Sequence, residues 1–145
     1  MTGVQTCALP ISLGKARVVR EGSDLVIVAY SAAVVIAERA ADRAAEEGYS
    51  VGVLDLRSLV PLDVDALREA VAACGRAVVL HEGSLTAGFG GELVATIQEE
   101  AFWSLQAPIG RVAAPDAPYP PGTIEELYLP SVERVVDAIR AAMEP

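Results

Sequence analysis

Short apolar runs along the chain alternate with longer stretches in which apolar residues recur at helical spacing. The runs at residues 25–30, 51–56 and 77–80 consist mostly of aliphatic residues. Runs of this length and composition are typical of strands that a parallel sheet buries on both faces. Shorter apolar runs at residues 16–20 and within 107–113 predict two further strands.

Four amphipathic stretches predict helices. They cover residues 32–47, 63–73, about 92–102 and the segment that follows Ser131. Asp63 and Ser131 carry side chains that cap helix N-termini. Gly48 and Gly75 are suited to helix ends. The predicted inner face of the first helix is rich in alanine, which permits close packing on a sheet, and it comprises Ala33, Ile36, Ala37, Ala40, Ala41 and Ala44.

The resulting order ββαβαβαβα predicts an α/β fold with a mainly parallel sheet and helices on both of its faces. Residues 21–24 have turn chemistry, so the first two strands are predicted to form an antiparallel hairpin at one sheet edge. Residues 114–130 predict a long irregular segment, because they contain Pro115, Pro118, Pro120, Pro121 and Pro130.

Composition and charge narrow the class of protein. The 145 residues suit one domain, and the low aromatic content of 5% leaves the core to Ala, Val, Leu and Ile. A net charge of −9 without a basic cluster argues against nucleic-acid binding. An acidic surface keeps a protein soluble, and it can also suit a basic protein partner.

The two cysteines and the apolar runs predict the compartment. Two cysteines are too few for a disulfide framework and make no metal-ligand spacing with His81, which favours a reducing, cytoplasmic location. No apolar run approaches the length needed to span a bilayer, so no membrane association is predicted.

Residues 1–12 do not fit the rest of the pattern. They carry no charged side chain and no helical or strand period, and they resemble the translation of a sequencing adapter. We expect them to be an unstructured artefact, with the domain beginning at residue 13 and the chain being the tail of a longer protein. The alternative is a natural unstructured leader.

His81 and Glu82 close a predicted strand, where α/β folds place functional groups. A histidine can act as an acid or base, but the chain has no second histidine to complete a metal site. Arg57 also follows a strand and can bind a carboxylate or phosphate, or pair with Asp55 or Asp63. For all of these residues a structural or interface role is favoured over catalysis.

Residues 88–91, Gly-Phe-Gly-Gly, lie between a predicted strand and a predicted helix. Free N–H groups at such a helix start can hold a phosphate. However, Leu93 stands where a dinucleotide fingerprint needs its third glycine, and no P-loop motif is present. Close packing of the helix explains the small residues better, and Cys74 is expected to be a core residue. The residues alone therefore give no catalytic set and no cofactor or metal site.

Several motifs in fixed order nevertheless resemble the C-terminal domain of the beta subunit of 2-oxo acid dehydrogenase decarboxylating components, such as the pyruvate, branched-chain and acetoin enzymes. The most specific is residues 55–63, Asp-Leu-Arg-Ser-Leu-Val-Pro-Leu-Asp. The others are residues 13–16, 20–24, 81–82, 88–92, 114–118 and 128–131. Ala87 departs from the pattern, since the family often has Gly there.

The resemblance implies a transketolase C-terminal-type fold over residues 13–145. This fold is a three-layer α/β/α sandwich with a five-stranded mixed sheet whose first strand is antiparallel. The parent enzymes use thiamine diphosphate and magnesium to decarboxylate a 2-oxo acid and pass the acyl group to a lipoyl arm. Their cofactor lies outside this domain, so the resemblance implies no catalytic, cofactor or metal residue here.

What the resemblance does imply is an assembly role. The expected partners are the alpha subunit, a second beta subunit and the dihydrolipoyl acyltransferase core, whose binding domain is typically basic. The interface candidates are Arg57, His81, Glu82, Gly88, Phe89 and Gly90. Two alternatives stay open: the equivalent domain of a transketolase or deoxyxylulose phosphate synthase, and a free-standing binding module that uses the loop at residues 83–91.

Overall fold

A five-stranded mixed sheet forms the middle layer of the domain in the computed structural model, which describes residues 12–144. Its strands are β1 (Arg17–Arg20), β2 (Leu25–Ala29), β3 (Val51–Asp55), β4 (Ala77–Ser84) and β5 (Gly110–Ala114). They lie in the order β1-β3-β2-β4-β5, with β1 antiparallel and the others parallel. The predicted mixed sheet with an antiparallel first strand is confirmed. The expectation for residues 1–12 lies outside the described residues except for Ser12.

Helices cover both faces of the sheet. They are α1 (Ala33–Glu46), α2 (Val64–Cys74), α3 (Phe89–Ala101), α4 (Glu125–Tyr128) and α5 (Val132–Met143). α1 and α5 pack on one face, and α2 and α3 pack on the other. The three-layer arrangement is therefore confirmed. None of the helices within residues 12–144 is both long and apolar enough to cross a bilayer.

Small side chains bring the helices close to the sheet. Every residue of β2 is buried, and α1 belongs to the same core cluster through five alanines that are fully inaccessible to solvent, Ala33, Ala37, Ala40, Ala41 and Ala44. The ends of α2 follow the predicted chemistry. The carboxylate of Asp63 accepts a hydrogen bond from the Ala66 N–H at 3.3 Å, and Gly75 ends the helix at φ +71°.

The predicted hairpin between the first two strands is wrong. β1 pairs with β3, which lies between β1 and β2. Residues 21–24 cross the start of β3 instead of turning tightly, and the N–H groups of Ser23 and Asp24 both donate to the Ser50 carbonyl. Gly22 and Gly52 permit this crossing because neither places a side chain between the two backbones.

Two boundaries around the glycine-rich loop also differ from the prediction. β4 continues through Glu82 to Ser84, where it pairs with Ala114, and α3 begins at Phe89, three residues earlier than predicted. The proline-rich segment is not wholly irregular, since it contains a 3-10 turn (Gly122–Ile124) followed by α4.

Candidate functional site

The candidate site lies where the parallel strands end. Tyr30 directly follows β2, His81 lies near the end of β4, and Phe89 begins α3. Because the carboxyl ends of parallel strands share one sheet edge, these three residues meet there. The rings of Tyr30 and His81 stack at a centroid distance of 6.0 Å, and Phe89 meets Tyr30 edge-on at 6.3 Å. Tyr30 and this contact were not identified from the sequence.

Three glycines surround the imidazole of His81, which is only 1% exposed. A Cβ atom at Gly90 would lie 2.2 Å from Nε2, one at Gly88 2.8 Å from Cε1, and one at Gly83 3.1 Å from Nδ1. We call His81 with Tyr30, Gly83, Gly88 and Gly90 the histidine cage. The cage shows close packing at Gly83, Gly88 and Gly90, and it explains why α3 carries glycine at residue 90 in spite of the low helix propensity of glycine.

The cage holds His81 neutral. Burial, and secondarily the positive charge of Arg111, lower the pKa of His81 below its usual value of 6.5. Nδ1 is buried and has no hydrogen-bond partner among residues 12–144. A proton added to the ring would therefore place a positive charge in a desolvated site that has few hydrogen bonds to stabilise it. This environment suits a structural histidine that supports the loop above it.

We expect His81 to lower the free energy of unfolding as the pH drops below about 6.5. The unfolded chain takes up a proton near the ordinary histidine pKa, whereas the caged ring takes it up only at lower pH. The unfolded state is thus favoured on acidification, by at most about 1.4 kcal/mol per pH unit. Urea denaturation between about pH 7.5 and 5.5 measures this slope.

A His81→Asn variant is the control, since the chain contains a single histidine. Its stability should be nearly independent of pH over the same range, whatever its absolute value. Equal slopes for the two proteins would contradict the burial of a neutral imidazole.

The loop above the cage is tied to the neighbouring segment. Asp116 accepts hydrogen bonds from the N–H and the hydroxyl of Thr86, at 2.9 and 2.6 Å, and these bonds lower the pKa of its carboxyl. Arg111 donates to the Leu85 carbonyl at 3.3 Å. Ala87 adopts φ +59°, a backbone conformation that favours glycine.

Glu82 borders the cage on its solvent side. It is partly exposed, and its charge, after the larger effect of burial, helps to raise the pKa of Tyr30. Among the other interface candidates Gly88 and Phe89 are also partly exposed, whereas His81 and Gly90 are buried. A direct interface role stays a prediction for Glu82, Gly88 and Phe89, while His81 and Gly90 can act only by shaping the loop.

Arg57 stands apart from the cage, at the end of β3, with β2 lying between β3 and β4. Its side chain is exposed, its backbone has φ +58°, and its N–H donates to the Asp55 carboxylate at 3.1 Å. Asp55 and Asp63 instead form ion pairs with Arg17 and Lys15. Arg57 thus remains an exposed cation on a strained turn, and its interface role stays a prediction.

An exposed aromatic pair was not identified from the sequence. Phe102 and Trp103 follow α3 and meet edge-on at 4.9 Å, with Trp103 94% exposed. Phe102 also lines a shallow groove together with Val94, Leu105, Ala107, Pro108 and Ile109. We call this groove with the two aromatic residues the aromatic surface. Glu99 and Glu100, both exposed, precede it on α3.

The last two features of the site concern metal-ligand residues and the buried cysteine. Within residues 12–144, no group of three His, Cys, Asp and Glu side chains is placed to hold a metal ion. Cys74 is buried at the end of α2 and donates to the Gly22 carbonyl at 3.3 Å, which confirms it as a core residue.

Comparisons with family models and with known sequences point to related proteins. The family model for the transketolase C-terminal domain matches residues 14–135. The chain is 44% identical over 136 residues to the pyruvate dehydrogenase E1 component subunit beta of Leifsonia xyli subsp. xyli, and 42% identical over 134 residues to that of Staphylococcus aureus. These matches cover 94% and 92% of the chain but only 40% and 41% of the relatives, so the chain spans about two fifths of their length.

Solved structures support the same fold. The inactive beta4 tetramer of a split-gene transketolase superposes with a TM-score of 0.81 at 27% identity, covering 98% of this chain and 45% of that chain. A transketolase mutant from Pichia stipitis superposes with a TM-score of 0.61 at 15% identity, covering 89% of this chain and 18% of that chain, which shows likeness of fold alone.

Proposed function

Because the chain belongs to the family of transketolase C-terminal domains, we propose that it is the assembly and docking domain of a pyruvate dehydrogenase beta subunit. The parent enzyme would decarboxylate pyruvate with thiamine diphosphate and magnesium and transfer the acyl group to a lipoyl arm. Within it this domain would contact the alpha subunit and a second beta subunit, and would dock the dihydrolipoyl acyltransferase core. The identity to beta subunits over nearly the whole chain supports the proposal.

The aromatic surface is the observation that carries the docking role. Trp103 is 94% exposed and Phe102 46% exposed, although aromatic side chains of this size contribute most when they are buried. Tryptophan is also enriched among the residues that dominate protein interfaces. Burial of this pair against a partner would remove a large apolar area from water. Burial of a charged loop surface would remove much less.

Charge favours the acyltransferase as the partner at this surface. Glu99 and Glu100 lie beside the aromatic pair, and the whole chain carries −9. A basic binding domain would place cations against these carboxylates and over the face of Trp103, where a cation–π contact adds to the attraction. Attraction of this kind accelerates association and weakens with salt.

The cofactor of the parent enzyme is not assigned to residues of this domain. The proposal also includes a cytoplasmic location, supported by a cysteine count too low for a disulfide framework.

A transketolase is the second candidate for the parent enzyme. The superposition on the split-gene transketolase, which covers nearly all of this chain, favours it. The higher identity to the beta subunits favours the dehydrogenase. The two differ in docking, because only the dehydrogenase would need a surface for an acyltransferase.

Replacing Trp103 with alanine is expected to weaken binding of the acyltransferase's basic domain at least about 10-fold, because the exposed indole would be the main buried contact. Isothermal titration calorimetry of the purified chain with that domain measures the affinity. Raising the salt concentration should weaken binding to the unaltered chain as well.

Leu127→Ala is the matched control, since Leu127 is 85% exposed but lies on α4, away from the aromatic surface. It should leave the affinity unchanged. No binding at low salt, or equal affinities for the Trp103→Ala variant and the unaltered chain, would contradict the docking role. Dimers of the chain that Trp103→Ala dissociates would instead assign the aromatic surface to the contact between beta subunits.

A further inference from the structure

A half-open cavity of about 220 Å³ lies between β1 and α2, on the sheet face opposite α1. Its interior is mostly apolar. We call it the β1–α2 cavity. Its inner wall is formed by Val18, Val26, Leu54, Ala70, Ala73 and Cys74. It shares no residue with the aromatic surface or with the histidine cage.

The cavity exists because the side chains around it are short. α2 packs over β2, so β1 extends beyond the helix and Val18 remains 51% exposed. Apart from Glu69 at the rim, α2 lines the cavity with the small side chains of Ala66, Ala70, Ala73 and Cys74. Gly22 and Gly52 add no side chain where the two backbones cross. An apolar cavity of this size that opens to solvent on one side can take up an apolar molecule.

Carboxylates dominate the rim. Glu21 and Glu69 are exposed, and neither forms an ion pair with another described residue. The cation at the rim, Arg20, is paired with Asp42 at 2.5 Å. Burial raises the pKa of the Cys74 thiol in the cavity wall, and the negative charges of Asp24 and Glu21 raise it further. The carboxylates near the rim therefore act on the cavity wall as well.

We propose that the β1–α2 cavity binds a small molecule with a compact apolar body and a primary amine. The apolar body would lie against Val26 and Leu54, and the ammonium group would lie at the rim beside Glu21 and Glu69. A volume of about 220 Å³ holds a body of roughly benzene size or slightly larger. The site is independent of the docking role, since it uses other residues.

The probes for the test are benzylamine, benzyl alcohol and benzoate, which share one apolar body and differ in charge. They are titrated into the purified chain while the methyl NMR signals of Val18, Val26 and Leu54 are followed. We expect a dissociation constant on the order of 1 mM for benzylamine. Binding of benzyl alcohol should be about five-fold weaker, and benzoate weaker still, because the rim carboxylates attract only the amine.

Two variants locate the site. Ala70→Leu fills the cavity and should abolish the methyl shifts with benzylamine, whereas Ala72→Leu, on the exposed side of the same helix, should leave them unchanged. Glu69→Gln should lower the affinity for benzylamine but not for benzyl alcohol.

Benzylamine shifts that are absent, or confined to methyls outside the cavity, would overturn the proposal, and this holds even if Ala70→Leu fails to fold. Equal affinities for benzylamine and benzoate would overturn the preference for an amine. Docking of the acyltransferase domain is unaffected by either result, since the two sites share no residue.

Discussion

Replacing Gly90 with alanine is expected to lower the free energy of unfolding by about 3 kcal/mol or more. The new Cβ atom would lie 2.2 Å from Nε2 and 2.6 Å from Cδ2 of His81. The ring cannot rotate away, because Tyr30 stacks on its face and Gly88 and Gly83 approach its other edge. Either α3 must move outward or the imidazole must leave its site. Urea denaturation followed by circular dichroism measures the loss.

Gly91→Ala is the matched control, one residue further along the same helix. Its Cβ atom would meet only a guanidinium nitrogen of Arg111, at 4.0 Å. Alanine is favoured over glycine inside a helix, so this variant should gain about 0.5–1 kcal/mol. In a Gly90→Ala/His81→Ala double variant the alanine at 90 should cost far less than it does beside histidine, because the clash is gone. Similar losses for Gly90→Ala and Gly91→Ala would contradict the histidine cage.

The cage connects the core to the loop that carries predicted interface residues. His81 and Gly83 belong to β4, while Gly88 and Gly90 belong to the N-cap and the first turn of α3. The position of Phe89 and of the partly exposed Glu82 therefore depends on a buried ring. We therefore predict that a substitution at His81 would act on the predicted interface residues through their position and not through a direct contact.

Elements with a strong local pattern were predictable from the sequence. β2 and β3 are apolar over nearly their whole length, and α1 and α5 show one apolar face each. Asp63 and Ser131 cap α2 and α5 through their side chains, as predicted. In all of these the residues that determine the element lie within the element itself.

The start of α3 could not be predicted, because its cause is distant in sequence. Local propensity disfavours a helix through Gly90 and Gly91. Residue 90 has to be glycine because the ring of His81 occupies the space that a side chain there would need, so these glycines do not mark a loop. The sequence indicated His81 and the glycines as separate candidates, but nothing in their spacing showed that they touch. Tyr30 was missed for the same reason, since it follows β2 as the last residue of an apolar run.

The pairing of β1 was predicted wrongly because a turn sequence does not show which strand will lie next to β1 in the sheet. Residues 21–24 favour a tight turn, and a hairpin would have satisfied β1 and β2 locally. β3 competes for the same edge of β2 and pairs with it in parallel over five residues, from Leu25 with Val51 to Ala29 with Asp55. The burial of β3 on both faces outweighs the hairpin, and β1 takes the outer edge. This arrangement requires the backbone to cross β3 at Gly22.

Gly22→Ala is therefore expected to be the most disruptive single methyl addition, with a loss of about 3 kcal/mol or more. The added Cβ atom would lie 2.0 Å from the nitrogen of Gly52 and 2.4 Å from the carbonyl carbon of Val51. Both are backbone atoms of a buried strand, so no side-chain rotation relieves the clash. The crossing segment would have to lift, which would break the bonds from Ser23 and Asp24 to Ser50 and the contact of Cys74 with the Gly22 carbonyl.

Gly122→Ala is the control for this steric effect, because nothing lies within 4 Å of the Cβ position at Gly122 and its φ is not in the left-handed region. Its free energy of unfolding should stay within about 0.5 kcal/mol of the unaltered chain. The comparison is made by urea denaturation, together with NMR signals of Val18 and Val53 that report on the β1–β3 pairing. If Gly22→Ala were as stable as Gly122→Ala with those signals unshifted, the segment would not cross β3 closely, and the hairpin would have to be reconsidered.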